Sequence, residues 1–81
     1  MAAGEPGRAT ETLTSAAERF RRLAAPYDRA VTQADLARAL IAAGRGEEAA
    51  TILDEADRTF EKLKAAKAQE LVRKVRTELE S

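Results

Sequence analysis

Apolar residues recur at steps of three and four along most of this chain, the spacing that places side chains on one face of an α-helix. The pattern is interrupted by residues typical of helix boundaries, namely Pro26 and the glycine turn 44–46. These signals predict an all-α domain over residues 8–81, preceded by a disordered tail at residues 1–7. Within the domain we expect an antiparallel array of four helices, over about residues 9–24, 26–43, 47–64 and 67–80.

The boundary between the third and fourth helices rests on periodicity, because residues 64–67 contain no glycine or proline. If the apolar stripe of the third helix is extended beyond Leu63, it reaches polar residues such as Lys67 and Lys74. The apolar residues that follow, such as Leu71, are displaced from that stripe by one residue, or roughly 100° around the helix axis. We therefore predict a break near 64–67, and a single long kinked helix is the alternative.

An internal repeat links the first and third helices. The pairs that match at an offset of 40 include Leu13 with Leu53, Ala16 with Ala56, Phe20 with Phe60, and Leu23 with Leu63, and also Gly4 with Gly44, Ala9 with Ala49 and Ala25 with Ala65. Repeats with periods of this length indicate stacked helical units. Together with other apolar residues, the first four of these pairs form the predicted core: Leu13, Ala16, Phe20, Leu23, Leu36, Ala37, Leu40, Ala49, Leu53, Ala56, Phe60, Leu63, Leu71, Val75 and Leu79.

The segment 36–56 resembles a tetratricopeptide repeat. Leu36, Ala37 and Leu40 fill the positions of a large, a small and a large residue on that family's first helix, helix A. The glycine turn follows, and helix B then carries small residues seven positions apart, here Ala49 and Ala56. Small residues at these positions let the two helices cross with their backbones close together.

The segment Arg-Phe-Arg-Arg-Leu-Ala-Ala-Pro-Tyr-Asp-Arg-Ala, residues 19–30, further resembles one subgroup of that family. This subgroup is the long-helix type found in bacterial ATP-binding regulators of the LuxR and maltose-activator type. Those repeats usually have glycine after the leucine, where this chain has Ala24 in one copy and Lys64 in the other. The resemblance implies the helix order B, A, B, A. Helix 1 would then lack the A helix that normally precedes it and would form an open edge. Helix 4 would cap the array, because Arg76 takes a position where the family has a small residue.

The resemblance also implies a partner-binding surface on the concave side of the array, lined by A helices. The implied residues on the second helix are Val31, Ala34, Asp35, Arg38 and Ile41. A small, mostly apolar groove with one cation suits a partner helix or peptide. The alternative is that Val31, Ala34 and Ile41 pack against neighbouring helices of the same chain.

Composition excludes most chemistry. The chain has no histidine and no cysteine, so the usual general bases, nucleophile pairs and zinc sites are absent, and we expect no enzyme activity, cofactor or metal. Asp54/Arg58, Glu18/Arg22 and Glu70/Lys74 have the spacing of surface ion pairs. Fourteen basic residues balance fourteen acidic ones, which does not favour nucleic-acid binding, and no apolar run is long enough to span a membrane.

We therefore expect a cytoplasmic, non-catalytic module for protein–protein interaction or scaffolding, either free-standing or belonging to, or binding, a bacterial signalling regulator. The first alternative is a structural homo-oligomer in which a second copy closes the helix 1 edge. The second alternative is a helical domain associated with nucleic acid, through the basic residues Arg19, Arg21, Arg22 and Arg29.

Overall fold

The computed structural model of the protein describes the backbone of residues 6–80 and the side chains of residues 8–80. It contains four α-helices and, within these residues, no strand: α1 Pro6–Arg22, α2 Pro26–Ala42, α3 Gly46–Lys62 and α4 Ala66–Glu80. The all-α prediction is confirmed, and so is the break near residues 64–67, so the alternative of one long kinked helix is wrong. The predicted tail mostly lies outside the described residues, but α1 already begins at Pro6, two residues before the predicted start of the domain.

The three turns between helices share one backbone conformation. Ala24, Gly44 and Lys64 occupy the left-handed region, with φ of 54°, 77° and 56°. The next residue in each turn donates its N–H to a carbonyl in the last turn of the preceding helix, over 2.8 to 3.0 Å. This is the Schellman arrangement, which satisfies carbonyls that a helix end leaves free. Because the same turn recurs, successive helices begin 20 residues apart, and the 40-residue repeat spans two helices.

Helix α2 lies at the centre of the array. It packs against α1, α3 and α4, and α4 also packs against α3. Among the described residues, no Cα atom of α1 comes within 8 Å of a Cα atom of α3 or α4. A helix with neighbours on three sides must be buried around most of its circumference, and α2 accordingly contains six buried residues: Ala30, Gln33, Ala34, Leu36, Ala37 and Leu40.

The core forms where α2, α3 and α4 meet. Phe60, Leu53 and Val75 are fully buried there, together with the small residues Ala37 and Ala49. Of the other residues assigned to the core from the sequence, Leu36, Leu40 and Ala56 are buried, while Leu13, Ala16, Phe20, Leu71 and Leu79 are partly buried. Three buried apolar residues in the same cluster were not predicted: Ala30, Ala68 and Val72.

Two residues predicted for the core are exposed. Leu23 is 67% exposed and Leu63 is 43% exposed. Both follow the last residue of a helix, at Arg22 and Lys62. The helical spacing that placed them on the buried stripe no longer applies once the backbone enters the turn, so the prediction is wrong for both.

We expect Phe60→Ala to lower the free energy of unfolding by about 2–5 kcal/mol, because it removes a fully buried ring from a small core. The matched control is Leu63→Ala, at the exposed residue that follows the last residue of the same helix. It should change the free energy of unfolding by less than about 0.5 kcal/mol. Urea denaturation followed by circular dichroism measures both. Equal effects of the two substitutions would contradict this description of the core.

The turn conformation predicts stabilising substitutions. Ala24→Gly and Lys64→Gly should each raise the free energy of unfolding by about 0.5–1 kcal/mol, because glycine adopts positive φ without the steric cost that a Cβ atom brings. Gly44→Ala is the reverse control and should lower stability by about 1 kcal/mol. A Cβ atom at Gly44 would meet nothing within 4 Å, so only the backbone conformation is tested. Stabilisation by Gly44→Ala, measured by thermal unfolding, is the contradicting result.

Candidate functional site

The residues predicted to bind a partner do not form an apolar groove. Ala34 is fully buried and therefore cannot contact a partner, which corrects that part of the prediction. Val31 and Ile41 are partly buried and pack against the core cluster. Only Asp35 and Arg38 are exposed, and the Arg38 guanidinium lies 3.3 Å from the Glu78 carboxylate of α4.

A different depression lies between α1 and α3, along the surface of α2. We call it the α1–α3 groove. It consists of two cavities of about 750 and 230 Å³, which share Thr14, Leu36 and Ile52 as lining residues. The groove exists because α1 and α3 both pack on α2 without approaching each other. Its walls are mainly Thr10, Glu11, Thr14, Ser15, Ala17 and Glu18 of α1 and Glu48, Ile52 and Glu55 of α3.

The floor of the groove is one stripe of α2. It contains Arg29, Gln33, Leu36 and Leu40, at steps of four, three and four. This spacing places them on one face of the helix, over a length of about 16 Å. The stripe is polar at its Arg29 end and apolar at its Leu40 end. Sequence reasoning missed the groove, although the same steps continue from Leu40 through Leu36 to Gln33 and Arg29.

The polar end of the groove joins α2 to α3. The Gln33 side chain is buried, and its Nε2 atom donates a hydrogen bond of 3.3 Å to Oε1 of Glu55. Nη2 of Arg29 lies 3.8 Å from the same Glu55 oxygen. The carboxylate of Glu55, whose side chain is 44% exposed, therefore contacts both α2 side chains and links α2 to α3 at the protein surface.

The apolar end of the groove is bordered by an ion pair. Leu36 and Leu40 form the floor there, and Ile52 of α3 is partly buried beside them. At the start of α3, Nε and Nη2 of Arg45 donate to the two carboxylate oxygens of Glu48, at 2.7 and 2.8 Å. This bidentate pairing fixes both side chains, because two parallel hydrogen bonds define the relative orientation of the two planar groups.

Two of the ion pairs predicted from sequence have other partners. Glu18 pairs with Arg21, three residues away, instead of Arg22. Asp54 pairs with Arg76 of α4 at 3.2 Å instead of Arg58. Gln69 of α4 likewise donates to Asp57 of α3. The Glu18–Arg21 pair uses the three-residue spacing within α1 instead of the four-residue one, which spacing alone does not decide. The contacts of Asp54 and Asp57 with α4 could not be predicted from spacing along one helix, because they join two helices.

The described part of the chain contains no group of three or more histidine, cysteine, aspartate or glutamate side chains placed to hold a metal ion. Within residues 6–80, no helix combines the length and the hydropathy that a membrane span requires. Comparison with protein-family models, curated proteins and solved structures gave no match.

The Arg45–Glu48 pair predicts a shifted titration. Hydrogen bonds from the Arg45 guanidinium lower the pKa of the Glu48 carboxyl below its ordinary value of 4.5. We expect Arg45→Gln to raise the pKa of Glu48 back towards that value, as followed by NMR of the carboxyl carbon. Since the folded-state pKa is lowered, the stabilisation by the pair is present above the ordinary pKa and is lost as the pH falls through the lowered one.

Glu18 is the internal control in this titration. Its pKa is lowered by a hydrogen bond from Arg21, and this pair does not involve Arg45. Arg45→Gln should therefore leave the titration of Glu18 unchanged. A Glu48 titration that is the same in the parent and the variant would contradict the pairing.

Proposed function

We propose that this protein is a non-catalytic, tetratricopeptide-like module that binds a segment of another protein in the α1–α3 groove. By its resemblance to repeats of bacterial regulators, we further propose that it acts in the bacterial cytoplasm, as part of such a regulator or as its partner. The helix packing supports the tetratricopeptide-like part of the proposal. Helices α2 and α3 would be the A–B pair, and α4 the next A helix, because it contacts both of them. Ala37, Ala49 and Ala56, the small residues of the motif, are fully buried.

The groove is the observation that carries the binding proposal. It is long, open and bounded by two helices whose Cα atoms stay more than 8 Å apart, while its floor belongs to the most buried helix of the array. A rigid floor places recognising side chains with little loss of conformational entropy on binding. Ligand sites commonly combine apolar surface with polar groups that fix the orientation of the ligand. In this groove Leu36, Leu40 and Ile52 supply apolar surface, and most of the wall residues are polar.

The charged groups of the groove support binding rather than catalysis. Three of the four carboxylates that line the groove lie beside an arginine: Glu18 beside Arg21, Glu48 beside Arg45 and Glu55 beside Arg29. A general acid or base needs a carboxyl group free to exchange its proton with a substrate. Carboxylates that are already paired with guanidinium groups are better suited to holding the groove walls in place.

The homo-oligomer alternative receives less support from the surface of α1. Its exposed residues are polar or small: Arg8, Ala9, Glu11, Thr12, Thr14, Ser15, Arg19, Arg21 and Arg22. Obligate interfaces between identical subunits are more apolar than the rest of the surface. The outer face of α4 is polar in the same way, as the capping role of that helix requires.

The proposed function can be tested by photo-crosslinking in cells that express the protein. A benzophenone amino acid replaces Ser15 in the groove wall or, as a control, Lys74 on the exposed face of α4. We expect a discrete adduct with a second protein from position 15 only. Adducts of twice the mass of the chain would instead support the homo-oligomer.

The partner identified in this way should then bind less tightly to a groove variant. Ile52→Arg places a charge at the apolar end of the groove and should raise the Kd, measured by calorimetry, roughly tenfold or more. Thr51→Arg is the matched control, because the preceding residue is exposed. Unchanged binding by Ile52→Arg, with its helix content intact, would contradict the assignment of the groove.

A further inference from the structure

Two buried polar atoms at the polar end of the groove have no hydrogen-bond partner among the described residues. They are Oε1 of Gln33 and Nε of Arg29. Gln33 is only 3% exposed, and both side chains line the 230 Å³ cavity. Buried polar groups are nearly always paired in native proteins, because an unpaired one costs the desolvation free energy without a compensating bond.

The orientation of the Gln33 amide follows from its other contact. Its Nε2 atom donates to the Glu55 carboxylate, and the reverse orientation would set the amide oxygen against a carboxylate oxygen. Oε1 is therefore the atom that remains, and it requires a donor. Nε of Arg29 carries a hydrogen and requires an acceptor. Both atoms are closed to solvent in the free protein, so a ligand pairs with them only when the two side chains shift, and it must then offer one donor and one acceptor.

The charges around this cavity determine whether the ligand is neutral or charged. Its lining contains two arginines, Arg21 and Arg29, and two carboxylates, Glu18 and Glu55. The Glu18–Arg21 and Glu55–Arg29 pairings balance these charges. A ligand carboxylate would be opposed to Glu18 and Glu55, and a ligand ammonium group to the two arginines. A neutral group avoids the cost of an unpaired charge in a partly buried site.

We infer that this cavity binds a neutral amide group of the partner segment, whose N–H donates to Oε1 of Gln33 and whose C=O accepts from Nε of Arg29. An amide has its donor, the N–H, and its acceptor, the C=O, on different atoms of one plane. It can therefore pair with two different protein groups at once. The amide belongs either to an asparagine or glutamine side chain or to the peptide backbone. This inference rests on the proposed function and names the chemistry that the groove selects.

Small amides test the inference on the full chain without the partner. The protein is titrated with acetamide, a primary carboxamide, and with N-methylacetamide, which represents a peptide unit, while NMR follows the Arg29 Nε–H and Gln33 side-chain signals. We expect these signals to shift together towards a plateau at concentrations on the order of 100 mM, as suits so small a ligand. Acetate, which has the shape of acetamide but carries a charge, should not produce this saturating shift.

The two amides also distinguish the two possible sources of the bound amide group, a side chain or the peptide backbone. Saturation by acetamide alone would indicate a side-chain carboxamide, and tighter binding of N-methylacetamide than of acetamide would indicate a peptide unit. Gln33→Leu should abolish the shift of Arg29, whereas Gln69→Leu, which removes the amide facing Asp57 on another surface, should leave it intact. Arg29→Lys keeps the charge without Nε and should weaken the Gln33 response several-fold, which tests the site even if Gln33→Leu does not fold.

Three results would overturn the inference. One is the absence of a saturating shift at Arg29 and Gln33 with either amide. Another is a response that persists in a folded Gln33→Leu protein. The third is a water molecule detected beside Gln33 by its nuclear Overhauser effect that acetamide does not displace, which would mean that ordered water alone satisfies these atoms. Loss of partner binding by Ile52→Arg without any amide response would reject the inference and leave the proposed function standing.

Discussion

The structure depends on the ability of α2 to accept neighbours on three sides. Close approach from several directions requires side chains without bulk, and α2 provides Ala30, Ala34 and Ala37, all fully buried. A helix in this position contributes its buried residues to three of the four helix contacts in the array, all except that between α3 and α4. The separation of α1 from α3 follows from the same arrangement, because each packs on its own part of the α2 surface. The groove is therefore a direct consequence of the packing around α2.

The repeated turn sets where each helix begins relative to the last. Left-handed backbone at Ala24 and Lys64 is unfavourable for residues with a Cβ atom, so other interactions must offset it. Hydrogen bonds to the free carbonyls supply part of this compensation. Packing supplies more. Phe60, in the last turn of α3, is fully buried and makes an edge-to-face ring contact with Tyr27 at the start of α2, with centroids 5.7 Å apart. The turns bring these two rings together, and the packing of the rings in return stabilises the turns.

Sequence patterns predicted the helices and much of the core because both arise from local periodicity. The displaced stripe after Leu63 sufficed to place the break before α4. Periodicity failed for Leu23 and Leu63, because it describes helices only and both residues lie just beyond one. The groove was missed for another reason. It depends on how far apart α1 and α3 lie, and this separation is determined by the packing of all four helices together.

In the proposed mode of binding, the polar end of the floor stripe adds selectivity that an apolar floor could not. Leu36 and Leu40 would accept almost any apolar side chain, since a hydrophobic surface discriminates weakly between similar groups. Gln33 and Arg29 change this, because a ligand that pairs with their two unpaired buried atoms is favoured over one that does not. Glu55 orients both side chains from α3, so recognition relies on the same contact between α2 and α3 that supports the core. A substitution that loosens this contact should therefore impair selectivity before it unfolds the protein.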